Sequence, residues 1–295
     1  MHDAAYFVQL LLSGVTVGSL YALIAIGYTM VYGILRLINF AHGDIFMMAG
    51  FFMVYISATC SLAISIPLVL ILTVVLGVLI EKAAYKPLRT APRMSVMISA
   101  IGVSYLLQNL ATYITDGIAR AYPDITFLTK VMQVGGLSIK RITIITPILT
   151  IVLVAILVLL IQKTKIGMAM RAVSRDFETS QLMGIKINSV ISMTFVIGSF
   201  LAGVASILYF ANYGQVSPMI GAMPGLKAFV AAVFGGIGSI PGAVIGAFII
   251  GICESFIKAN ENIAVFSNAF TFALLIIILL CKPNGLFGEK LTEKV

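Results

Sequence analysis

Residues 6–32 read YFVQLLLSGVTVGSLYALIAIGYTMVY, and this apolar run decides the class of fold. A helix needs about 20 mainly apolar residues to cross the hydrocarbon of a bilayer. The run exceeds that length and the short apolar core of a cleavable signal. No positive cluster opens Met1-His2-Asp3, so the run reads as a retained span. Eight more apolar runs follow, at about residues 40–60, 62–84, 94–114, 142–162, 188–211, 225–238, 241–257 and 266–281. Most are too long for barrel strands and none alternates at strand period. Lipid leaves only helices or closed barrels as spanning structures. The expected fold is all-α: a polytopic transmembrane helical bundle of about 8–9 spans with Gly-broken helices. No Ser-rich or charged linker divides the runs, so residues 1–295 are expected to form a single membrane domain.

Composition agrees. Hydrophobic residues make up 60% of the chain and charged residues 10%, with a mean hydropathy of +1.10. Soluble domains are about 25% charged. The net charge of +8 does not indicate nucleic acid, because the basic residues sit in short connections between apolar runs; membrane lipid is the surrounding partner. Arg36, the connections 82–93 and 163–187, and the tail with Lys282, Lys290 and Lys294 gather 13 basic residues on one side. Five remain for the other side: Arg120, Lys130, Lys140, Arg141 and Lys258. Lys227 falls near a membrane edge. The bias predicts a cytoplasmic C-terminus. Nine spans then put the N-terminus outside, and eight, if one run is re-entrant, put it inside; both remain open.

Chemical signatures are sparse. Cys60, Cys253 and Cys281 stand singly with no metal-ligand spacing, so neither a metal site nor a cofactor is expected. There is no GxxxxGK[ST], GxSxG or HExxH, and the only histidines are His2 and His42. Transport fits this inventory better than catalysis. Gly14 and Gly18, Gly198 and Ala202, Gly242 and Gly246, and Ala247 and Gly251 are small residues four apart, the spacing that lets helices approach closely in lipid. The long outside connection 115–141, with Asp116, Tyr122, Pro123, Asp124 and Gly135-Gly136, reads either as a solvated loop or as a docking surface.

Three stretches interrupt the apolar pattern. In Leu37-Ile-Asn-Phe-Ala-His-Gly-Asp44, the residues Asn39, His42, Gly43 and Asp44 form either a short turn with Asp44 capping a helix, or a helix broken at membrane depth along a solute path. In 234–242, Gly235, Gly236, Gly238 and Gly242 form either a tight turn or a re-entrant element at that path. The third, within the polar segment 163–187, places Ala169, Val173 and Phe177 on one helical stripe and Arg175 three residues before Glu178, with Gly184 as a C-cap. Such a helix lies on lipid or inserts into a cytoplasmic protein; a chain without a nucleotide motif needs a way to receive force.

Four elements together resemble the LivH-type permeases of branched-chain amino-acid ABC importers over nearly the whole chain. They are Ile38-Asn39-Phe40-Ala41-His42-Gly43; Gly167 to Gly184 with Arg171 and Asp176; Gly235-Gly236-Ile-Gly238-Ser239 with Gly242 and Gly246; and Lys282-Pro283-Asn284-Gly285-Leu286-Phe287-Gly288. More distantly, the Gly-rich turn is similar to that of ribose-type permeases. The resemblance implies a bacterial cytoplasmic (inner) membrane protein paired with a second homologous permease. Two cytoplasmic ATPase subunits and an external, periplasmic substrate-binding protein complete the assembly, and ATP is used by the ATPases alone. It implies ATPase coupling through Gly167, Arg171, Val173, Asp176, Phe177 and Gly184, and a substrate path near Asn39, His42, Gly43 and Asp44, shaped by Gly235, Gly236, Gly238 and Gly242. The cargo implied is leucine-, isoleucine- or valine-like. The same architecture carrying urea, an amide or another amino acid is the alternative, with an ion-coupled secondary carrier as a second class.

Overall fold

A computed structural model describes residues 2–89, 91–134 and 137–288; Gly135, Gly136, Lys290, Lys294 and the side chain of Arg93 lie outside the described residues. In chain order the elements are α1 (His2–Leu35), α2 (His42–Ser57), α3 (Leu62–Ile80), α4 (Arg93–Thr115), β1 (Arg120–Ala121), α5 (Thr126–Thr129), β2 (Val131–Val134), β3 (Leu137–Lys140), α6 (Arg141–Lys163), α7 (Lys165–Arg175), α8 (Phe177–Leu182), α9 (Ile187–Tyr213), β4 (Gln215–Val216), α10 (Ala222–Gly235), α11 (Ile240–Ala259) and α12 (Ser267–Cys281). A π-helical turn, Glu81–Tyr85, prolongs α3. The fold is the expected polytopic helical bundle.

Each apolar run is a helix. Seven helices of the described residues are long and apolar enough to span a membrane, whereas His42–Ser57 and Ala222–Gly235 are shorter. The centre is made by α1 and α9, enclosed by α2, α3, α10 and α11, with α4, α6 and α12 at the periphery. Small residues set the closest approaches. A Cβ at Gly14 would lie 2.8 Å from the Ile252 backbone, and one at Gly18 would lie 2.8 Å from that of Phe248, so α1 and α11 pack backbone to backbone. Gly198 of α9 similarly sits against Gly27 of α1.

Contacts sort the helix ends into two faces. On one, Arg36 donates to the Ser174 carbonyl, Arg89 bonds Asn188, and the amides of Leu286 and Phe287 bond the carbonyls of Phe234 and Gly235. On the other, β1 pairs antiparallel with β4, Thr16 of α1 donates to the Thr143 carbonyl, and the β2–β3 hairpin leads into α6. The first face collects Arg36, Lys82, Lys86, Arg89, Lys163, Lys165, Arg171, Arg175, Lys186 and Lys282, and the second the five basic residues expected there. The first is called the basic face below.

The two short helices do not cross alone. The α1 helix ends at the basic face, where Arg36 turns left-handed at φ 54°, and the non-helical leg 36–41 then climbs back into the bundle. Its top, His42, lies against Gly27, eight residues and about 12 Å above the end of α1. From the opposite face the leg 214–221 descends, and α10 starts beside Gly43 and runs down to the basic face. Each half-helix with its leg completes one crossing.

Candidate functional site

The two half-helices meet start to start. A Cβ on Gly43 would lie 2.7 Å from the Gly221 carbonyl oxygen and 3.1 Å from the Gly225 Cα, so only glycines allow this junction. Neither helix has a side-chain N-cap. The turn into α2 is built by backbone: His42 N–H bonds the Asn39 carbonyl at 3.1 Å, and the amides of Asp44 and Ile45 bond the Ala41 carbonyl. Asn39 is buried; its Oδ1 accepts from the Tyr85 hydroxyl at 2.8 Å, while Nδ2 has no partner among the described residues. His42 is buried edge-on to Tyr28 at 4.9 Å, its Nε2 beside Gly27 and without a hydrogen-bond partner among the described residues. Asp44 is 2% exposed, and its carboxylate turns toward α4 rather than capping its own helix. There Oδ2 accepts from Ser104 Oγ at 2.5 Å and Oδ1 from Gln108 Nε2 at 3.0 Å. Residues 37–44 therefore take the broken-helix form, with Asn39, His42, Gly43 and Asp44 gathered at one junction.

Residues 235–242 take the other of their two open forms. They make a tight turn at the basic face, with Gly236 at φ 110° and Gly238 at φ 100° and the Ser239 hydroxyl accepting from Gly242 N–H at 3.3 Å. A Cβ at Gly242 would lie 3.1 Å from that of Phe287, and residues 284–288 fill the cradle beneath Gly236. The irregular leg at depth lies one element earlier, at 214–221, and sequence reasoning missed it. Its signals were Ser217-Pro218 and the glycines Gly214, Gly221 and Gly225 around it.

The segment 163–187 is two helices, not one. Thr164 caps α7 by accepting from Gly167 N–H, and Asp176, extended at φ −151°, ends it and caps α8 through Thr179 N–H at 2.9 Å. The break removes Phe177 from the stripe: Val173 is buried with Gly167 and Met170, whereas Phe177 is exposed. Among the described residues Arg175 and Glu178 make no ion pair. The end of α8 is a Schellman closure, with Ile185 N–H on the Ser180 carbonyl, Gly184 N–H on that of Gln181, and Gly184 at φ 84°. That closure lifts Leu182 and Met183 off the protein at 87% and 79% exposed. Sequence reasoning did not single out these two; their position just before Gly184 was the available signal. Arg171 bonds the Ile161 carbonyl, fixing α7 to the end of α6.

Buried charge is paired elsewhere. Glu81 holds Arg89 and accepts from Ser192 Oγ at 2.9 Å, binding the end of α3 to α9. Lys227 is not at a membrane edge as expected: it is 5% exposed and pairs with Glu254 at 2.6 Å, because α10 starts within the bundle. Glu254 also binds Lys258 at 2.6 Å and the Tyr21 hydroxyl at 2.9 Å.

Comparison with known proteins gives consistent matches. A family profile described as "Branched-chain amino acid transport system / permease component" matches residues 10–279. The chain is 40% identical to the high-affinity branched-chain amino acid transport system permease protein BraD of Pseudomonas aeruginosa, covering 100% of both chains. It is also 40% identical to the permease LivH of Escherichia coli (strain K12), covering 98% of each. At 25% identity it is similar to the ribose import permease protein RbsC of Haemophilus influenzae, over 92% of this chain and 84% of that one.

Proposed function

We propose, from the premise that the chain belongs to the permease-component family of branched-chain amino acid transport systems, that it is one half of the membrane path of an ATP-driven importer of leucine-, isoleucine- or valine-like amino acids. The basic face is cytoplasmic in this reading, as the lysine and arginine bias favours. The described chain then makes nine crossings, with the start of α1 outside and residues 282–288 inside. The membrane is the bacterial cytoplasmic membrane. A second homologous permease completes the path, an external binding protein delivers the cargo, and two cytoplasmic ATPases supply the force.

The observation that carries the reading is the surface of α7 and α8. Phe177, Leu182 and Met183 are large apolar residues exposed on the most basic face, beyond the helix ends. Apolar side chains held there by two caps and a Schellman closure suit a groove on a cytoplasmic partner. Gly167, Arg171, Val173, Asp176 and Gly184 set the shape of that surface. The junction at Asn39, His42, Gly43 and Asp44 is the proposed path element, since interrupted helices that start inside a membrane expose polar backbone there. The turn Gly235, Gly236, Gly238 and Gly242 anchors the lower end of α10, so motion at the basic face reaches the junction through one half-helix.

Two measurements test this. Single cysteines at Leu182 and at Asn262 in a cysteine-free background should react with an impermeant maleimide from the cytoplasmic and external sides respectively; external labelling at Leu182 would remove any access for an intracellular motor. Proteoliposomes holding both permeases, the ATPases and internal ATP should take up labelled leucine when given the binding protein. Uptake of urea instead would shift the substrate class, and uptake without ATP under an ion gradient would favour a secondary carrier.

A further inference from the structure

Three carboxylates are buried in the bundle among the described residues: Asp44, Glu81 and Glu254. Glu81 has Arg89 and Glu254 has Lys227 and Lys258, but Asp44 has no cationic partner among the described residues. Its two hydrogen bonds come from neutral groups, Ser104 and Gln108 of α4. An ionised carboxylate in a low-dielectric interior is costly without a counter-charge. Asp44 lies in the first turn of α2, whose positive start offsets part of that cost. A structural clamp between α2 and α4 would need only a neutral amide at this position.

Asp44 stands at the meeting point of the two half-helices. It follows Gly43, which touches Gly221 and Gly225 where both half-helices begin. On the face of α10 turned away from that contact, Ala222, Met223 and Leu226 are exposed, an apolar surface at the same level. The cover over Asp44 is α4, a peripheral helix and the least apolar of the seven spans. The far side of α4 carries Gly102, Tyr105, Asn109 and Tyr113 on one exposed helical face. Asn109 on this face donates from Nδ2 to the Tyr105 carbonyl of its own helix at 2.8 Å, and lipid solvates the rest of the amide poorly, so this face is better matched by a wet path or a second subunit. We propose that the Asp44 carboxylate receives the ammonium group of the solute as it passes the junction of the two half-helices. Ser104 and Gln108 hold the carboxylate until then, and the apolar side of α10 meets the aliphatic side chain. The inference rests on the reading above that the chain passes amino acids, and it identifies the group on the cargo that this permease reads.

The test uses the complete reconstituted transporter, with leucine uptake and ATP hydrolysis measured together. Wild-type complex that hydrolyses ATP but takes up no leucine would fail the functional reading itself. Given wild-type uptake, Asp44→Asn should lower leucine uptake per ATP hydrolysed at least tenfold while assembly and binding-protein-stimulated hydrolysis persist. Asp44→Glu should restore part of it. The paired change Ser104→Ala with Gln108→Leu, which removes the clamp and keeps the charge, should cost less than Asp44→Asn. The inference is overturned if Asp44→Asn transports at the wild-type ratio, or if the clamp variant is the more damaging of the two.

Discussion

Replacing Glu254 by leucine is expected to destabilise the protein by about 3–5 kcal/mol, the usual penalty for stranding one member of a buried ion pair. Three helices converge on this carboxylate. Its Oε1 takes Lys227 of α10 and Lys258 of α11 at 2.6 Å each, and its Oε2 takes the hydroxyl of Tyr21 on α1 at 2.9 Å. Lys258 is half exposed and can turn to solvent when the carboxylate is lost. Lys227 cannot, because α10 begins inside the bundle and the side chain is enclosed. The charge is therefore left without a partner, and α10 loses its polar attachment to α1 and α11. Adding Lys227→Met should recover most of the loss, since a buried pair exchanged for apolar residues of similar size is often neutral. Unfolding in mixed micelles, read as a double-mutant cycle, measures both terms. Glu254→Asp and Glu254→Gln are less decisive because each keeps a polar acceptor; Glu254→Leu at wild-type stability would show that the pair does not hold α10.

The second large effect concerns assembly. Leu182→Asp combined with Met183→Asp is expected to abolish capture of the ATPase subunits, a loss of at least 100-fold, in a permease that inserts and folds normally. Both side chains project from the protein, so their replacement disturbs no internal packing. A cost seen only in the complex must then arise at the contact. Phe177→Asp should act in the same direction, and Gly184→Trp should act by a different route. Position 184 is left-handed at φ 84°, and a tryptophan there would distort the closure that presents Leu182 and Met183. Co-purification with the ATPases and ATP-driven uptake read the outcome. Full assembly of the double aspartate variant would exclude the end of α8 from the contact.

The helices were legible in the sequence because lipid imposes a simple rule: long apolar runs become helices, and every run did. The close packing at Gly14, Gly18 and Gly251 was legible for the same reason, since four-residue spacing of small residues has one main use in a membrane. What the sequence did not disclose was depth. Residues 37–44 and 234–242 look alike as strings of glycine and polar residues between apolar runs, yet one lies within the bundle and the other at its surface. The choice between them depends on where α1 and α10 end, which is fixed by tertiary contacts such as Gly43 against Gly221. Lys227 was misplaced for that reason: in a chain read as full spans, a lysine two residues into an apolar run belongs at an edge. The break at Asp176 was hidden by the regular spacing of Ala169, Val173 and Phe177, although Asp176 with Thr179 three residues on is a capping pattern.

The cradle beneath Gly236 also bears on biogenesis. The last carbonyls of α10, on Phe234 and Gly235, are satisfied by the amides of Leu286 and Phe287, which the ribosome adds only after α11 and α12 have been made. At cellular synthesis rates that delay is about 3–10 s. During it, the newborn half-helix sits in the insertion machinery with an unfinished end, its seal not yet translated. Maturation of this end of α10 is thereby timed by the tail, and a nascent chain released before residue 286 would leave the Phe234 and Gly235 carbonyls without these partners.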